Sequence, residues 1–384
     1  MRIVLAGGGT GGHLMPGVAM AQRIKREDPE AHVLFIAGDR EMEIRTLNRY
    51  GLEARHTTAR PLTMNPATWP AFVSGGLKVL RQSYRTIAEF GPDVALGLGG
   101  NASFFPLIAA RLQRIPIVLL EQNVIPGKVT RRLAPFAEEV ACQWPESIRH
   151  FGVKVKARIT GNPIREEILA ATREEAIERL HLDQGKKTLL VTGGSQGAHP
   201  LNEMMIACAG KLASRAPELQ VIHLSGRSDH EAVGRAYQQA GIGAETAQFL
   251  DDVAPAYAAA DLAISRAGGT TIAELTVHGV PCILVPYPHA TDNHQLHNAR
   301  ALAGAGAAMV LEQSQFTPER LVGMICDIIN NPGLTKRMHT ACTAVGRPDA
   351  ADEVLRTLHG CACIQVTNDA IEALRPEQPV KEHT

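Results

Sequence analysis

Apolar residues in this chain gather into short continuous runs, separated by longer stretches with a helical period. The runs lie at 2–6, 33–37, 94–98, 117–120, 188–191, 219–224, 262–265 and 281–285. Each is too short for a helix and apolar at successive positions, which predicts strands buried on both faces. Helix-period segments between them complete a βαβ alternation, the pattern of a parallel sheet covered on both sides. The alternation starts twice. Thr160-Gly161-Asn162-Pro163 interrupts it, a charged helical segment over 165–180 follows, and Asp183-Gln184-Gly185-Lys186-Lys187 precedes the restart. The fold class is therefore α/β, with two Rossmann-like parallel-sheet domains over 1–160 and 161–345. Ligands of such sheets bind beyond the carboxyl ends of the strands, which places the site in the cleft where the halves face each other. The Pro-, Glu- and Lys-containing tail over 373–384 is expected to be disordered.

One helical segment, over 67–90, has an unusual face. Trp69, Val73, Leu77, Leu80, Tyr84 and Ile87 fall on one stripe, Phe72 and Val79 lie beside it, and Lys78, Arg81 and Arg85 flank the other edge. A core-facing helix with solvated charges accounts for the main stripe. The extra apolar residues next to bases also fit reversible docking on an anionic bilayer.

Composition narrows the class. Among 384 residues, Lys+Arg and Asp+Glu each total 39, so no global field draws the chain to nucleic acid, and any membrane attraction must be local. No run approaches the ~20 apolar residues of a membrane span, and the N-terminus enters a strand directly without the pattern of a secretory signal. Seven scattered cysteines read as reduced cytoplasmic thiols. Cys361-Ala362-Cys363 lacks the second pair a zinc site needs.

The chemistry concentrates at strand-to-helix turns. The strand at 2–6 runs into Gly7-Gly8-Gly9-Thr10-Gly11-Gly12-His13, and the strand at 188–191 into Thr192-Gly193-Gly194-Ser195-Gln196-Gly197-Ala198. Such turns aim backbone N–H groups and a positive helix end at an anion, so each copy can hold a phosphate. Neither ends in the Gly-Lys-Ser/Thr of a Walker A loop, which disfavours nucleotide hydrolysis. The first copy lacks a clear acidic ribose partner ~20 residues on, which disfavours a redox dinucleotide site. In the second half, Ser265-Arg266-Ala267-Gly268-Gly269-Thr270-Thr271 opens another helix, with Thr270 or Thr271 able to cap it. Glu274 follows about one turn in, where a carboxylate can accept from a ribose diol or simply complement the helix dipole. Asp292-Asn293-His294-Gln295 then offers donors and acceptors that suit sugar hydroxyls.

These residues resemble the MurG family of bacterial peptidoglycan N-acetylglucosaminyltransferases. The matching stretches are Gly9-Thr10-Gly11-Gly12-His13 with Pro16-Gly17, Glu121-Gln122-Asn123, Gly161-Asn162-Pro163-Ile164-Arg165 and Gly193-Gly194-Ser195-Gln196-Gly197-Ala198. Ser265-Arg266-Ala267-Gly268 with Glu274, and Asp292-Asn293-His294-Gln295 with Asn298, complete the set. The resemblance implies a GT-B architecture with acceptor and membrane binding in the first half, and a C-terminal helix over 346–360 crossing back to it. It implies UDP-N-acetylglucosamine as donor and undecaprenyl-diphosphate-linked muramyl pentapeptide (lipid I) as acceptor, joined by inverting transfer to the acceptor's 4-hydroxyl. It also implies peripheral placement on an anionic membrane surface, at the cytoplasmic face of the inner membrane. By the same resemblance, Arg165 and Ser195 meet the donor diphosphate, the backbone of Phe249-Leu250 the uracil, Glu274 the ribose, and His294 with Gln295 the sugar. Thr10, Gly11, Gly12, Asn123, Gln196, Gly268 and Thr270 complete the donor side. Gly11, Gly12, His13, Gly100, Asn101, Glu121 and Asn123 line the acceptor side.

His13 is the candidate base, since imidazole titrates near neutral pH; positioning the acceptor is its rival role, and Glu121 is a second candidate base. No metal or other cofactor is expected, because helix ends and Arg165 neutralise the leaving diphosphate and no Asp-x-Asp pair lies in these stretches. The chain departs from the family where Gly-Gly-Tyr-Val-Ser becomes Gly99-Gly100-Asn101-Ala102-Ser103 before Phe104-Phe105, and at His199 and Leu120. The other readings are a related enzyme using another lipid acceptor, a UDP-N-acetylglucosamine epimerase, and a non-catalytic nucleotide-sugar sensor.

Overall fold

A computed structural model describes residues 1–58, 69–194 and 197–373, without the side chains of 69–74 and 364–373. The first sheet holds β1 (Arg2–Gly7), β2 (His32–Gly38), β3 (Ala54–Thr57), β4 (Val94–Gly99), β5 (Ile117–Glu121), β6 (Glu139–Cys142) and β7 (Ala157–Ile159), in the order β3-β2-β1-β4-β5-β6-β7. The second holds β8 (Lys187–Thr192), β9 (Leu219–Leu224), β10 (Ala244–Ala247), β11 (Leu262–Ser265), β12 (Cys282–Leu284) and β13 (Ala308–Val310), in the order β10-β9-β8-β11-β12-β13. Every described pairing is parallel, with Ile3 opposite Val33 and Val94, and Leu189 opposite Val221 and Leu262. Both sheets reverse strand order beside their first strand, β1 against β4 and β8 against β11. The crevice beyond such a reversal is where α/β sheets take ligands. Both glycine-rich turns open there.

The apolar runs become central strands because helices cover both faces. β4 and β9 are buried along their whole length. One face of the first sheet shares its core with the helix Ala350–Ala373, through Ala351, Val354, Leu355, Leu358 and Cys361 packed with Ile3, Leu5 and Leu96. Spacings of three and four put these residues on one helical stripe. Arg158 ties the same helix to β6, pairing with Glu139 at 2.9 Å and Glu353 at 2.5 Å. The helix extends well past 360, where the crossing segment was expected to end, and the tail from residue 374 lies outside the described residues.

The helix Trp69–Phe90 corrects the predicted stripe. Val79 and Ile87 face the core, with Ser83 and Gly76 on the same side, and Gly76 admits the ring of Phe105. Leu77 (65 % exposed) and Tyr84 (43 %) instead stand on the solvent face beside Lys78, Arg81 and Arg85. Val79 is therefore no part of an exposed patch. Exposed Leu112, on the neighbouring helix Phe104–Leu112, adjoins it where Gln113 Nε2 donates to the Tyr84 carbonyl at 2.9 Å. The side chains of Trp69 and Phe72 are outside those described. No helix among the described residues is long and apolar enough to cross a membrane.

Candidate active site at the seam between the halves

The two sheets present their turns to each other across a closed seam. Thr270 Oγ1 donates to the Gly12 carbonyl at 2.8 Å and accepts from Asn162 Nδ2 at 3.2 Å. Gly269 comes so close to Gln122 that a β-carbon there would sit 2.3 Å from the Gln122 carbonyl oxygen. Asn298 completes the join: its Oδ1 accepts from Val124 N at 2.9 Å, and its Nδ2 donates to Asn123 Oδ1 at 3.0 Å and to the Ala267 carbonyl at 3.1 Å.

Four helices begin on this side: Gly11–Glu27, His199–Arg215, Gly269–Val277 and His294–Gly304. None has an acidic residue in its first turn, and none has a side-chain cap on its first N–H groups. Thr172, Thr317 and Asn331 each accept from a first-turn N–H of their own helices, while Glu41–Arg49, Phe104–Leu112 and His230–Ala240 elsewhere in the chain also begin without a side-chain cap. Free N–H groups and a positive dipole at several converging helix ends make an anion site. Polar atoms left without partners lie at the same seam: Arg165 Nε, Asn162 Oδ1, Gln143 Oε1 and Ser265 Oγ are buried and unpaired. Buried polar groups are nearly always paired, so a cluster of exceptions points to a ligand.

His13 stands in the first turn of its helix, sharing a hydrogen bond of 3.1 Å between Nδ1 and Thr10 Oγ1. Gly99 and Gly100, with φ of +92° and +75°, back its ring. A β-carbon at Gly99 would lie 2.9 Å from Cδ2 and 3.3 Å from Nε2, so only glycine leaves that edge open. Burial, and to a lesser extent His294 across the seam, lower the His13 pKa to about 4. The ring is therefore neutral at physiological pH.

Glu121, the second candidate base, is held through both carboxylate oxygens. Its Oε1 accepts from Asn123 N at 3.0 Å and Asn123 Nδ2 at 3.2 Å, and its Oε2 accepts from Gly127 N at 2.9 Å. Burial raises its pKa, opposed by these bonds, but both oxygens are occupied in shaping the 123–127 turn. Asn123 is likewise engaged, with Glu121 and Asn298, while Asn101 is exposed.

Arg165 and Glu274 satisfy one another. Both are 5 % exposed, joined by Arg165 Nη2 to Glu274 Oε1 at 3.0 Å. Tyr50 OH accepts from Arg165 Nη1 at 3.1 Å, and Tyr257 also hydrogen-bonds Glu274. In this closed arrangement the Glu274 carboxylate faces the arginine. Gln295 Oε1 accepts from Tyr287 N at 2.9 Å and Ala267 N at 3.3 Å, bracing two turns of the second half. His294 Nδ1 donates to the Thr291 carbonyl at 2.8 Å. Phe249 is exposed and Leu250 half-buried beside the second sheet. Gly268 precedes the first turn of its helix without being covered. Ser195 and Gln196 lie outside the described residues.

Glu43 was not anticipated from sequence. It is fully buried, Oε1 accepts from Gly9 N, and Oε2 has no partner. The first glycine turn thus already holds a carboxylate of its own chain. On this side the N–H groups of Gly11 and Gly12 at the helix end are left for a ligand, the Gly12 carbonyl being taken by Thr270. Tyr50 and Tyr257 were missed as well, because nothing near them in sequence carries a motif.

Comparison with known proteins follows the same geometry. Residues 3–142 match the glycosyltransferase family 28 N-terminal domain, and residues 188–354 match the glycosyltransferase family 28 C-terminal domain. A Halothermothrix orenii protein is 39% identical over 94% of this chain and 99% of its own length. One from Syntrophotalea carbinolica is 39% identical over 93% and 98%. Both are named UDP-N-acetylglucosamine–N-acetylmuramyl-(pentapeptide) pyrophosphoryl-undecaprenol N-acetylglucosamine transferase. The crystal structure of Acinetobacter baumannii MurG superimposes with a TM-score of 0.74 at 28% identity, covering 94% of this chain and 99% of that one. A Neisseria meningitidis UDP-GlcNAc 2-epimerase bound to UDP-GlcNAc superimposes at 0.65 with 15% identity over 94% of this chain and all of that one, a likeness of fold alone.

The His13 imidazole sets a pH dependence. Its pKa in the folded chain lies below the ordinary 6.5, so the unfolded chain binds this proton first as pH falls. The stability it contributes is fully present above pH 6.5 and is lost between 6.5 and about 4. Histidine ring NMR on the free chain is expected to show His13 titrating near pH 4; a midpoint near 6.5 would contradict the burial described here.

Proposed function

This chain belongs to the family of UDP-N-acetylglucosamine–N-acetylmuramyl-(pentapeptide) pyrophosphoryl-undecaprenol N-acetylglucosamine transferases, and on that premise we propose how its seam carries out the transfer. The chain is an N-acetylglucosaminyltransferase. It moves the sugar from UDP-N-acetylglucosamine to the 4-hydroxyl of the muramyl residue in undecaprenyl-diphosphate-linked muramyl pentapeptide, with inversion at the anomeric carbon. The observation that carries the mechanism is the convergence of helix ends that have neither caps nor first-turn acids. A diphosphate supplies the negative charge those ends lack, and the charge grows as it departs, so the same N–H groups stabilise the transition state more than the bound donor.

In the step itself the acceptor oxygen attacks the anomeric carbon, and the bond from that carbon to the diphosphate oxygen breaks with its electron pair leaving on UDP. The hydroxyl proton goes to His13. With the ring proton on Nδ1, donated to Thr10 Oγ1, Nε2 keeps its lone pair on the edge that Gly99 leaves open. A pKa of about 4 describes the empty seam. A diphosphate bound nearby favours imidazolium and moves the base toward the operating pH, where proton transfer is most effective. Arg165 meets the diphosphate and Glu274 the ribose diol once the donor separates them. Asn162 Oδ1 and Arg165 Nε, unpaired in the closed seam, become ligand contacts.

The acceptor's lipid places the enzyme at a membrane surface. Exposed Leu77, Tyr84 and Leu112 beside Lys78, Arg81 and Arg85 support docking on an anionic bilayer. Each base near such a surface contributes on the order of 1 kcal/mol, enough together for reversible binding and not for anchoring. That surface supports peripheral placement, which a cytoplasmic nucleotide-sugar donor would put at the inner face of the cytoplasmic membrane.

Two measurements test this reading. With a lipid I analogue as acceptor, His13→Ala is expected to lower kcat by roughly a hundredfold to ten-thousandfold while UDP-N-acetylglucosamine affinity holds; a loss confined to acceptor affinity would make His13 a positioning residue. Sedimentation with anionic vesicles is expected to weaken with salt and with Lys78→Gln, Arg81→Gln and Arg85→Gln combined. An unchanged bound fraction in the triple variant would remove this face from the membrane.

A further inference from the structure

A second concavity lies at the opposite end of the second sheet, where β8, β11 and β12 begin. It encloses about 570 Å³, within the range that holds a small organic ligand. Ile328, Ile329 and Pro281 form an apolar part of its wall. Its charged groups are Arg173, Lys187 and Lys336 against the single carboxylate Asp261. Asp261 is already shared, accepting from Arg173 Nη2 at 2.9 Å and from Thr188 N at 2.8 Å, with Lys187 Nζ at 3.4 Å. Lys336 has no ion-pair partner among the described residues, so the cavity carries an uncompensated positive charge beside apolar surface. That combination selects an organic anion with a compact apolar body.

The position of the cavity gives such a ligand leverage. Its lining includes the turn His278-Gly279. His278 Nε2 donates to the Ile168 carbonyl at 2.8 Å, on the helix Glu166–Ala170 that follows the first connection between the halves. His339 Nδ1 donates to the Gly279 carbonyl at 2.8 Å from the helix Pro332–Val345, which leads through Gly346 into the second connection. One turn is thereby tied to both chain crossings. Burial lowers the His278 pKa, which keeps its ring neutral and its bond to Ile168 in one tautomer.

We propose that this cavity is an allosteric site for a small carboxylate, sulfonate or phosphate bearing a compact apolar group, coupled through the His278-Gly279 turn to opening of the catalytic seam. The site is separate from the seam, and the coupling rests on the proposed role of that seam as the donor site. A ligand that favours one spacing of the connections changes donor affinity, and the donor must change its affinity by the same factor.

Anilinonaphthalene sulfonate, an anion with an aromatic body, serves as the probe, titrated by fluorescence into the full chain. Leu77→Glu in every protein removes apolar surface on the membrane-facing helix that also attracts the dye. Saturable binding at one site is expected, weakened about tenfold or more by Lys336→Glu, the scale of a lost charge-assisted contact, and abolished by Thr335→Trp, which fills the cavity. Saturating UDP is expected to shift the probe's Kd at least threefold without lowering its stoichiometry. Unchanged binding in both variants would overturn the site. A probe displaced competitively by UDP, or a Kd indifferent to UDP in a chain that calorimetry shows to bind UDP, would overturn the coupling. Failure of UDP itself to bind would instead count against the reading of the seam.

Discussion

Helix ends of like sign meet across the seam, and the rest of the molecule is organised around that meeting. The helices Gly11–Glu27 and Gly269–Val277 bring their first turns together through Thr270 Oγ1 and the Gly12 carbonyl. Each end carries about half a positive charge in the dipole description, and neither has an acid in its first turn to offset it. Hydrogen bonds from Asn298 and Thr270 hold the halves together regardless. The diphosphate proposed to bind between these ends would offset their like charge.

The Arg165–Glu274 pair shows how buried charge is held at the closed seam. Burying both ions costs several kcal/mol each in desolvation, which their mutual attraction repays only with good geometry and further partners. Tyr50 and Tyr257 supply those partners, and Tyr50 comes from the first half. The donor contacts proposed for Arg165 and Glu274 would replace this pair, which lies within the second half, while the bond from Arg165 to Tyr50 is the one that crosses to the first. Burial, with the approach of His294 as the lesser cause, holds His13 neutral in this arrangement.

Much of the fold was legible in the sequence because central parallel strands are apolar at successive positions. The eight predicted runs correspond to β1, β2, β4, β5, β8, β9, β11 and β12. The strands not foreseen, β3, β6, β7, β10 and β13, are three or four residues long, and most lie at sheet edges. Arg55, His56 and Glu245 in them break any apolar run. The glycine turns could be read because tight turns constrain residue type locally. Glu43 and Tyr50 could not: Glu43 meets Gly9 across 34 residues, and Tyr50 meets Arg165 across 115. On the helix Trp69–Phe90 periodicity located an amphipathic face but misplaced its edge, since Gly76 and Ser83 are buried by packing on Phe105 and the sheet rather than by hydrophobicity.

The central claim is that the uncapped helix ends are kept free for the donor's diphosphate. Gly268 provides the most direct measurement. It occupies the N-cap of Gly269–Val277 with φ −71° and ψ 140°, and the nearest atom to a β-carbon there is 3.8 Å away. Gly268→Asp would therefore fit and cap the helix, since aspartate is a preferred N-cap residue. Calorimetric titration of this variant with UDP-N-acetylglucosamine, alongside its thermal unfolding, is expected to give equal or higher stability together with affinity reduced about tenfold or more, ~1.4 kcal/mol. A variant that gains stability and binds the donor as tightly as the parent would contradict the account.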